Sequence, residues 1–129
     1  MKIQLFAIAI LLAAPARAQT PLAGVWEGTS ICLVNRGVCH DEHVVYHIAA
    51  AAPADSADFT ITANKLVNGR EEDMGTLRCR LAGHTLTCPM PPQFRPGTWS
   101  FTRHGDALAG GLTAPDGTRI RRVDVRRRG

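Results

Sequence analysis

The sequence predicts an all-β protein: an eight-stranded antiparallel up-and-down β-barrel, formed by a single small domain with two local disulfides. Short stretches of alternating apolar and polar residues recur from residue 24 to the end of the chain, separated by turn-forming residues. Four cysteines fall into two close pairs. Closure of eight consecutive strands into a ring removes the two free edges that an open sheet would expose.

The chain begins with a segment that is typical of an export signal. Lys2 is positively charged, Ile3 to Ala14 is almost continuously apolar, and Ala16-Arg17-Ala18 has the small residues of a cleavage site. An apolar run of about a dozen residues is too short to cross a bilayer of roughly 30 Å as a helix. We therefore predict a signal peptide over 1–18 and a barrel domain over 19–129, periplasmic or secreted, without a membrane anchor.

Export determines how the cysteines are interpreted. In a short exported chain, an even number of cysteines indicates disulfides rather than metal or redox chemistry. Cys32 with Cys39, and Cys79 with Cys88, each bracket a turn, and we predict these two bridges. The chain-entropy model gives such short loops about 2–3 kcal/mol each, as upper values.

Eight strands follow from the alternation and the turn signals. Asn68-Gly69 is the strongest hairpin signal in the chain. If Cys79 lies opposite Cys88, Gly83 takes the first central position of a type II′ turn. Residues 89–97 contain four prolines, which remove ladder donors, so they are expected to form one long loop. The predicted strands cover 24–33, 43–50, 59–67, 71–81, 85–88, 98–103, 107–113 and 118–127.

Alternate positions of these strands define the expected interior, and glycines inside strands, such as Gly28, Gly110 and Gly111, indicate bulges or sharp coiling. Their outward neighbours are mostly polar, as a barrel in water requires. The predicted interior residues are Trp26, Val44, Tyr46, Ile48, Phe59, Ile61, Leu77, Leu86, Trp99, Phe101, Leu108, Leu112, Val123 and Val125.

The charge balance argues against nucleic-acid or general membrane binding. Without Lys2 and Arg17, thirteen basic side chains oppose eleven acidic ones, which leaves a net charge of about +2. The exception is the basic run Arg126-Arg127-Arg128, which is interpreted as a solvated strand end.

The segment Gly24-Val25-Trp26 resembles the Gly-x-Trp opening of lipocalins and related calycin barrels. The resemblance implies that Trp26 packs across the barrel floor against a basic residue of the last strand, Arg121 or Arg122, and of these two we expect Arg122. An arginine stacked on an indole is worth about 0.5–2 kcal/mol. The chain departs from lipocalins in lacking a helix after the barrel and in having local disulfides. Its length is similar to that of avidin-like barrels and of envelope lysozyme inhibitors.

The sequence favours a non-enzymatic binding protein without a cofactor. The leading hypothesis is a small, partly apolar ligand at the barrel mouth, facing Tyr46, Trp99 and Phe101, since an eight-stranded barrel is either filled or holds one small ligand. The alternative is a protein-binding module, such as an inhibitor of an envelope hydrolase, that acts through the 89–97 loop. In that loop Phe94 and Arg95 place an aromatic beside a cation, a pair common at interfaces.

Metal or catalytic chemistry has weaker support. His40, Asp41 and His43 could capture a metal ion from a loop, whereas His43 and His47 would lie about 13 Å apart on a strand and could not share one. The outward Glu27 could pair with an arginine of the last strand. No catalytic motif occurs in the sequence, so we expect no enzyme, and we assign no metal site.

Overall fold

The protein forms a closed barrel of eight antiparallel strands, each paired with its neighbours in chain order. A computed structural model describes residues 10, 21–35, 37–51, 53 and 56–129. Except for Ile10, the predicted signal peptide and its cleavage site lie outside the described residues. The strands are β1 Gly24–Cys32, β2 Glu42–Ala50, β3 Asp58–Val67, β4 Arg70–Ala82, β5 Thr85–Pro89, β6 Thr98–His104, β7 Ala107–Thr113 and β8 Arg119–Arg127. The predicted fold class and number of strands are confirmed.

The turns and bridges that set the register also agree with the sequence. Asn68 and Gly69 have φ angles of 52° and 77°, as a type I′ hairpin turn requires. Gly83 has φ 59° at the β4–β5 turn, which fits a type II′ turn. The Cys79–Cys88 bridge lies beside this turn and the Cys32–Cys39 bridge closes the β1–β2 loop, so both predicted disulfides are confirmed.

One core fills the barrel, and every residue that alternation assigned to the interior belongs to it or packs against it, except Leu112, which is buried outside this cluster. Leu22, Cys79 and Cys88 are further members that alternation did not assign. Trp26, Phe101 and Ile61 are fully buried, and Phe59 and Trp99 are half-buried against the same cluster. Gly110 lies where strands approach closely, because a Cβ there would stand 1.7 Å from the carbonyl oxygen of Ser100. The register shifts themselves lie at Ala63/Asn64 and Leu112/Thr113.

The antiparallel order gives the barrel two different ends. The end at which β1 begins and β8 stops, here called the floor end, also carries the tight β4–β5 and β6–β7 turns. The opposite end, here called the loop end, carries the β1–β2 loop over 33–41, the β3–β4 turn, the β5–β6 loop over 90–97 and the β7–β8 turn. The two longest connections of the loop end carry the bridge Cys32–Cys39 and the proline-rich segment, so the candidate binding residues gather there.

Candidate functional site: the loop end of the barrel

The floor end is closed around Trp26. The indole Nε1 donates a hydrogen bond to the Leu22 carbonyl at 3.0 Å, and Leu22 is itself buried. The Arg127 guanidinium carbon lies 4.6 Å from the centre of the indole, and that of Arg103 lies 5.6 Å from it. Such cation–π contacts brace the floor around Trp26.

The structure therefore gives the bracing role to Arg127 and Arg103 rather than to Arg122. Trp26 is the third residue of β1, and in the antiparallel ladder it pairs with Arg127 near the end of β8. Arg122 pairs with Ile31 instead, and it directs its guanidinium outward to Asp124 at 3.6 Å. Because β1 and β8 are antiparallel, a tryptophan near the start of β1 lies opposite a residue near the end of β8. The positions of Trp26 and Arg127 in the sequence therefore already indicated this pairing.

Arg121, the other arginine considered for the floor, lies at the loop end. Its Nη1 donates to the buried Ser30 hydroxyl at 3.0 Å, and its Nη2 donates to the His40 carbonyl at 3.0 Å. These bonds attach β8 to β1 and to the disulfide loop. Arg121 thus has a structural role, and it lies beside the candidate binding surface.

Of the three residues predicted to face a ligand, two belong to the filled core. Tyr46 and Phe101 meet edge to face with ring centres 5.8 Å apart, and both are almost completely buried. Burial raises the pKa of the Tyr46 phenol well above its ordinary value near 10, with only minor contributions from the charges of Arg121 and Glu42. Trp99 stacks on Phe101 at 5.9 Å and is half-buried, so it is the one of the three that reaches an open pocket.

That pocket, here called the mouth pocket, lies between β4 and the β5–β6 loop. It has a volume of about 110 Å³, and its walls are mostly apolar: Met74, Leu77, Met90, Phe94 and Trp99 contribute most of the side-chain surface. The Trp99 Nε1 donates to the Met90 sulfur at 3.3 Å, which fixes the indole at the pocket wall.

The β5–β6 loop is ordered by its own backbone. Met90 N donates to the Gly97 carbonyl at 2.9 Å, and Phe94 N donates to the Pro91 carbonyl at 3.0 Å. This conformation directs the half-exposed Phe94 into the wall of the mouth pocket. The next residue, Arg95, lines a second hollow of about 340 Å³, here called the side groove, whose other walls are apolar side chains, Arg121 and the bridge of the β1–β2 loop.

Exposed apolar side chains mark the same end. Within the barrel domain, the large apolar residues that the described structure leaves exposed are Leu33 (46%), Val38 (87%) and Phe94 (47%). All three lie on loop-end connections. A larger hollow of about 480 Å³ lies on the outer faces of β3–β5, where it is lined by threonines and Arg78 and by none of these exposed residues.

The histidines considered for metal binding have other partners. Asp41 accepts a hydrogen bond from Cys32 N at 2.8 Å, and the His40 carbonyl is bound by Arg121. His43 Nε2 lies 3.0 Å from Glu27 on the outer face of the barrel. Among the described residues, no group of three or more His, Cys, Asp or Glu side chains is arranged to hold a metal ion.

Two carboxylates on that outer face have lowered pKa values. Hydrogen bonds from Arg128 and then from His43 lower the pKa of Glu27. Glu27 was expected to pair with an arginine of the last strand, and its partner is instead Arg128, the residue directly after β8. A hydrogen bond from His47, followed by one from Asn64, lowers the pKa of Glu71. These groups are solvent-exposed ion pairs, which contribute little to stability.

The fold and the site together define a small antiparallel eight-stranded barrel, closed and braced at one end and carrying apolar loop residues at the other. In comparisons with protein-family models, curated proteins and solved structures, no match to this chain was found. None of the described residues forms a helix long and apolar enough to cross a membrane. The two disulfides indicate that the protein folds in an oxidising compartment.

Proposed function

We propose that the protein is an exported, non-enzymatic binding module that recognises a protein partner through its loop end. The observation that carries the proposal is the position of Leu33, Val38 and Phe94, which are exposed together at this end of the barrel. Large exposed apolar patches on soluble proteins mark interaction sites, and these three side chains lie on connections at the same end of the barrel. The aromatic and arginine of the loop, Phe94 and Arg95, are side chains enriched at interface hot spots.

The filled interior favours a loop-based surface over a deep ligand cavity. Sites for drug-sized ligands enclose about 300–1,000 Å³. The mouth pocket offers only about 110 Å³, because Tyr46 and Phe101 occupy the space below it. A cavity of about 150 Å³ is known to hold benzene, so the mouth pocket suits one apolar side chain of a partner.

The proposal also includes a family and a cellular location. The Gly-x-Trp opening and the arginine of the last strand that stacks on Trp26 support kinship with the calycin barrels, of which lipocalins are members. The apolar segment before the barrel supports export to the periplasm or the medium, with cleavage near Ala18. Neither point depends on the identity of the partner.

Site-specific photo-crosslinking tests the proposal. A photoreactive amino acid is placed at Phe94, at Val38, or at the exposed floor-end turn residue His84 as the matched control. Each variant is produced and exported by the cells from which the sequence comes. We expect one discrete protein adduct from Phe94 and Val38 and none from His84.

A second variant checks that the adduct reflects specific recognition. Replacement of residues 91–96 by a Gly/Ser segment of equal length removes the Phe94 wall but leaves all eight strands and both bridges in place. The Val38 adduct should fall at least about tenfold, the effect of losing one hot spot. An undiminished Val38 adduct, or adducts from His84 alone, would contradict the proposal.

A small apolar ligand in the mouth pocket is the second candidate, favoured by the apolar walls around Trp99. Native mass spectrometry of the exported protein tests it directly. A co-purifying molecule of about benzene size that is lost in Trp99→Ala would support this candidate, whereas apo protein that still crosslinks through Phe94 would leave protein binding as the function.

A further inference from the structure

The β5–β6 loop sends two consecutive side chains into two separate hollows. Phe94 forms a wall of the mouth pocket, and Arg95 forms a wall of the side groove beside Val38 and Ile120. Arg95 therefore lines one largely apolar hollow and directly follows, in the chain, a residue that lines the other. A partner that fills both hollows lies close to Arg95.

Arg95 brings a positive charge that the described part of the chain does not neutralise. It has no ion pair or hydrogen bond with any described side chain or carbonyl. The other arginine of the side groove, Arg121, already donates to Ser30 and His40. The nearby Asp41 carboxylate accepts its hydrogen bond from Cys32 N. Arg95 is thus available for an anionic group of a partner.

Building on the proposed function, we propose that the loop end recognises an extended protein segment in which one carboxylate is flanked by apolar side chains. The carboxylate binds the Arg95 guanidinium, which matches its planar geometry with two parallel hydrogen bonds. One apolar neighbour enters the mouth pocket against Phe94 and Trp99. Another lies in the side groove against Val38.

The surroundings favour an acidic protein segment over an anionic lipid surface. The loop end also carries Glu71, Glu72 and Asp73 at the start of β4, all exposed, and these charges would be pressed toward the headgroups of an anionic bilayer. Both hollows are local depressions, of about 110 and 340 Å³, which side chains of a protein segment can enter, whereas a flat bilayer surface would not fill them.

Selection from a library of random heptapeptides displayed on phage tests this specificity. The bait is the full mature protein with both bridges formed, and selected peptides are then synthesised and titrated. We expect enrichment of sequences with Asp or Glu adjacent to aromatic or aliphatic residues. Since a hydrogen bond to a charged group is worth about 1.5–3 kcal/mol, Arg95→Gln should weaken the selected peptides by about 10- to 100-fold.

Matched variants show whether a loss of peptide affinity is due to the Arg95 side chain itself. Arg78→Gln removes an equally exposed arginine from the outer face of β4 and should leave peptide affinity unchanged. Arg95→Lys should recover part of the affinity, because it keeps the charge but loses the bidentate geometry. Thermal unfolding of each variant shows that it remains folded.

The outcomes separate this inference from the proposed function. Peptides that require Phe94 but show no acidic enrichment, or that bind Arg95→Gln as tightly as the unchanged protein, would overturn the inference while protein binding at the loop end stands. Failure of the selection together with absence of crosslinks from Phe94 and Val38 would overturn both. Arg95-dependent binding to phosphatidylglycerol vesicles without peptide selection would also overturn the inference, in favour of a lipid surface.

Discussion

Alkaline titration of Tyr46 tests whether the interior of the barrel is filled. The choice between a protein partner at the surface and a small ligand in a cavity depends on the answer. Tyr46 is the only tyrosine of the chain, so its ionisation is visible by near-ultraviolet absorbance without overlap from another phenol. Burial against Phe101 raises its pKa above the ordinary value near 10. The phenol should therefore stay protonated in the folded protein at pH values where the unfolded chain is already ionised.

The sign and size of the effect on stability follow from this difference. A raised pKa in the folded state leaves stability intact below about pH 10 and removes it as the pH rises further, at about 1.4 kcal/mol per pH unit for one proton. Between pH 10 and pH 12 the loss should amount to about 2–3 kcal/mol. Urea unfolding across this range measures it, and Tyr46→Phe, which should lack this component, is the control for all other titrating groups.

The reasoning fails if Tyr46 behaves as a residue at an open mouth. Tyrosinate absorbance that rises in the folded protein with a midpoint near pH 10, accompanied by equal pH slopes for the unchanged protein and Tyr46→Phe, would show that the phenol reaches water. The interior would then have room for a ligand, and the small-molecule candidate would gain support over the protein partner.

Two further predictions concern the frame that presents the loop end. Gly110→Ala should lower the free energy of unfolding by about 3 kcal/mol or more, because the new Cβ would overlap a backbone carbonyl of β6. Gly105→Ala, at a position with open space and a φ of 60°, should lower it by about 1–2 kcal/mol. Thermal unfolding distinguishes the two variants, and equal losses of stability would refute the close approach at Gly110. Arg127→Met should destabilise the protein by about 1–3 kcal/mol, because it loses the stacking on Trp26 and the hydrogen bonds to backbone carbonyls. Arg122→Met should change stability by less than about 0.5 kcal/mol. Chemical unfolding followed by tryptophan fluorescence measures both variants, and equal effects would contradict the conclusion that Arg127 rather than Arg122 braces the floor.

The barrel itself was predictable because several local signals converge on one register. Asn68-Gly69 fixes the β3–β4 hairpin, and the spacing of Cys79 and Cys88 around Gly83 fixes the next one. Once two hairpins are in register, period-two alternation assigns every later strand its inner face. Whether the barrel is filled or hollow did not follow from that assignment, because alternation gives the direction of each side chain and not the volume that the assembled strands enclose.

The same alternation could not identify side chains whose environment depends on neighbouring strands. Val45 points outward, yet it is fully buried, because it pairs with Glu27 and Asn64 while His43 and His47 flank it in β2. Glu27 is hydrogen-bonded to His43, and His47 and Asn64 are both hydrogen-bonded to Glu71 of β4. The burial of Val45 under these polar side chains is visible only when the strands are assembled.

The candidate site was predictable as a loop but not as a pair of hollows. Four prolines identified residues 89–97 as irregular, and Phe94 beside Arg95 as a recognition pair. The direction of each side chain depends on the Met90–Gly97 backbone hydrogen bond and on the position of the disulfide loop across the barrel end. The second of these contacts comes from another part of the chain, and the first depends on the folded loop rather than on a residue pattern, so the sequence of residues 89–97 did not show that the two side chains separate.

The division of the barrel into two ends gives the loop end its freedom to vary. Trp26, Arg103 and Arg127 close the floor with contacts made by β1, β6 and β8, none of which involves a loop-end residue. Substitutions at Phe94 or Arg95 therefore leave the bracing of the barrel untouched, and partner specificity can change without loss of the fold. Separation of stability from recognition in this way is what a binding module requires, and it explains why the exposed apolar residues are tolerated at one end only.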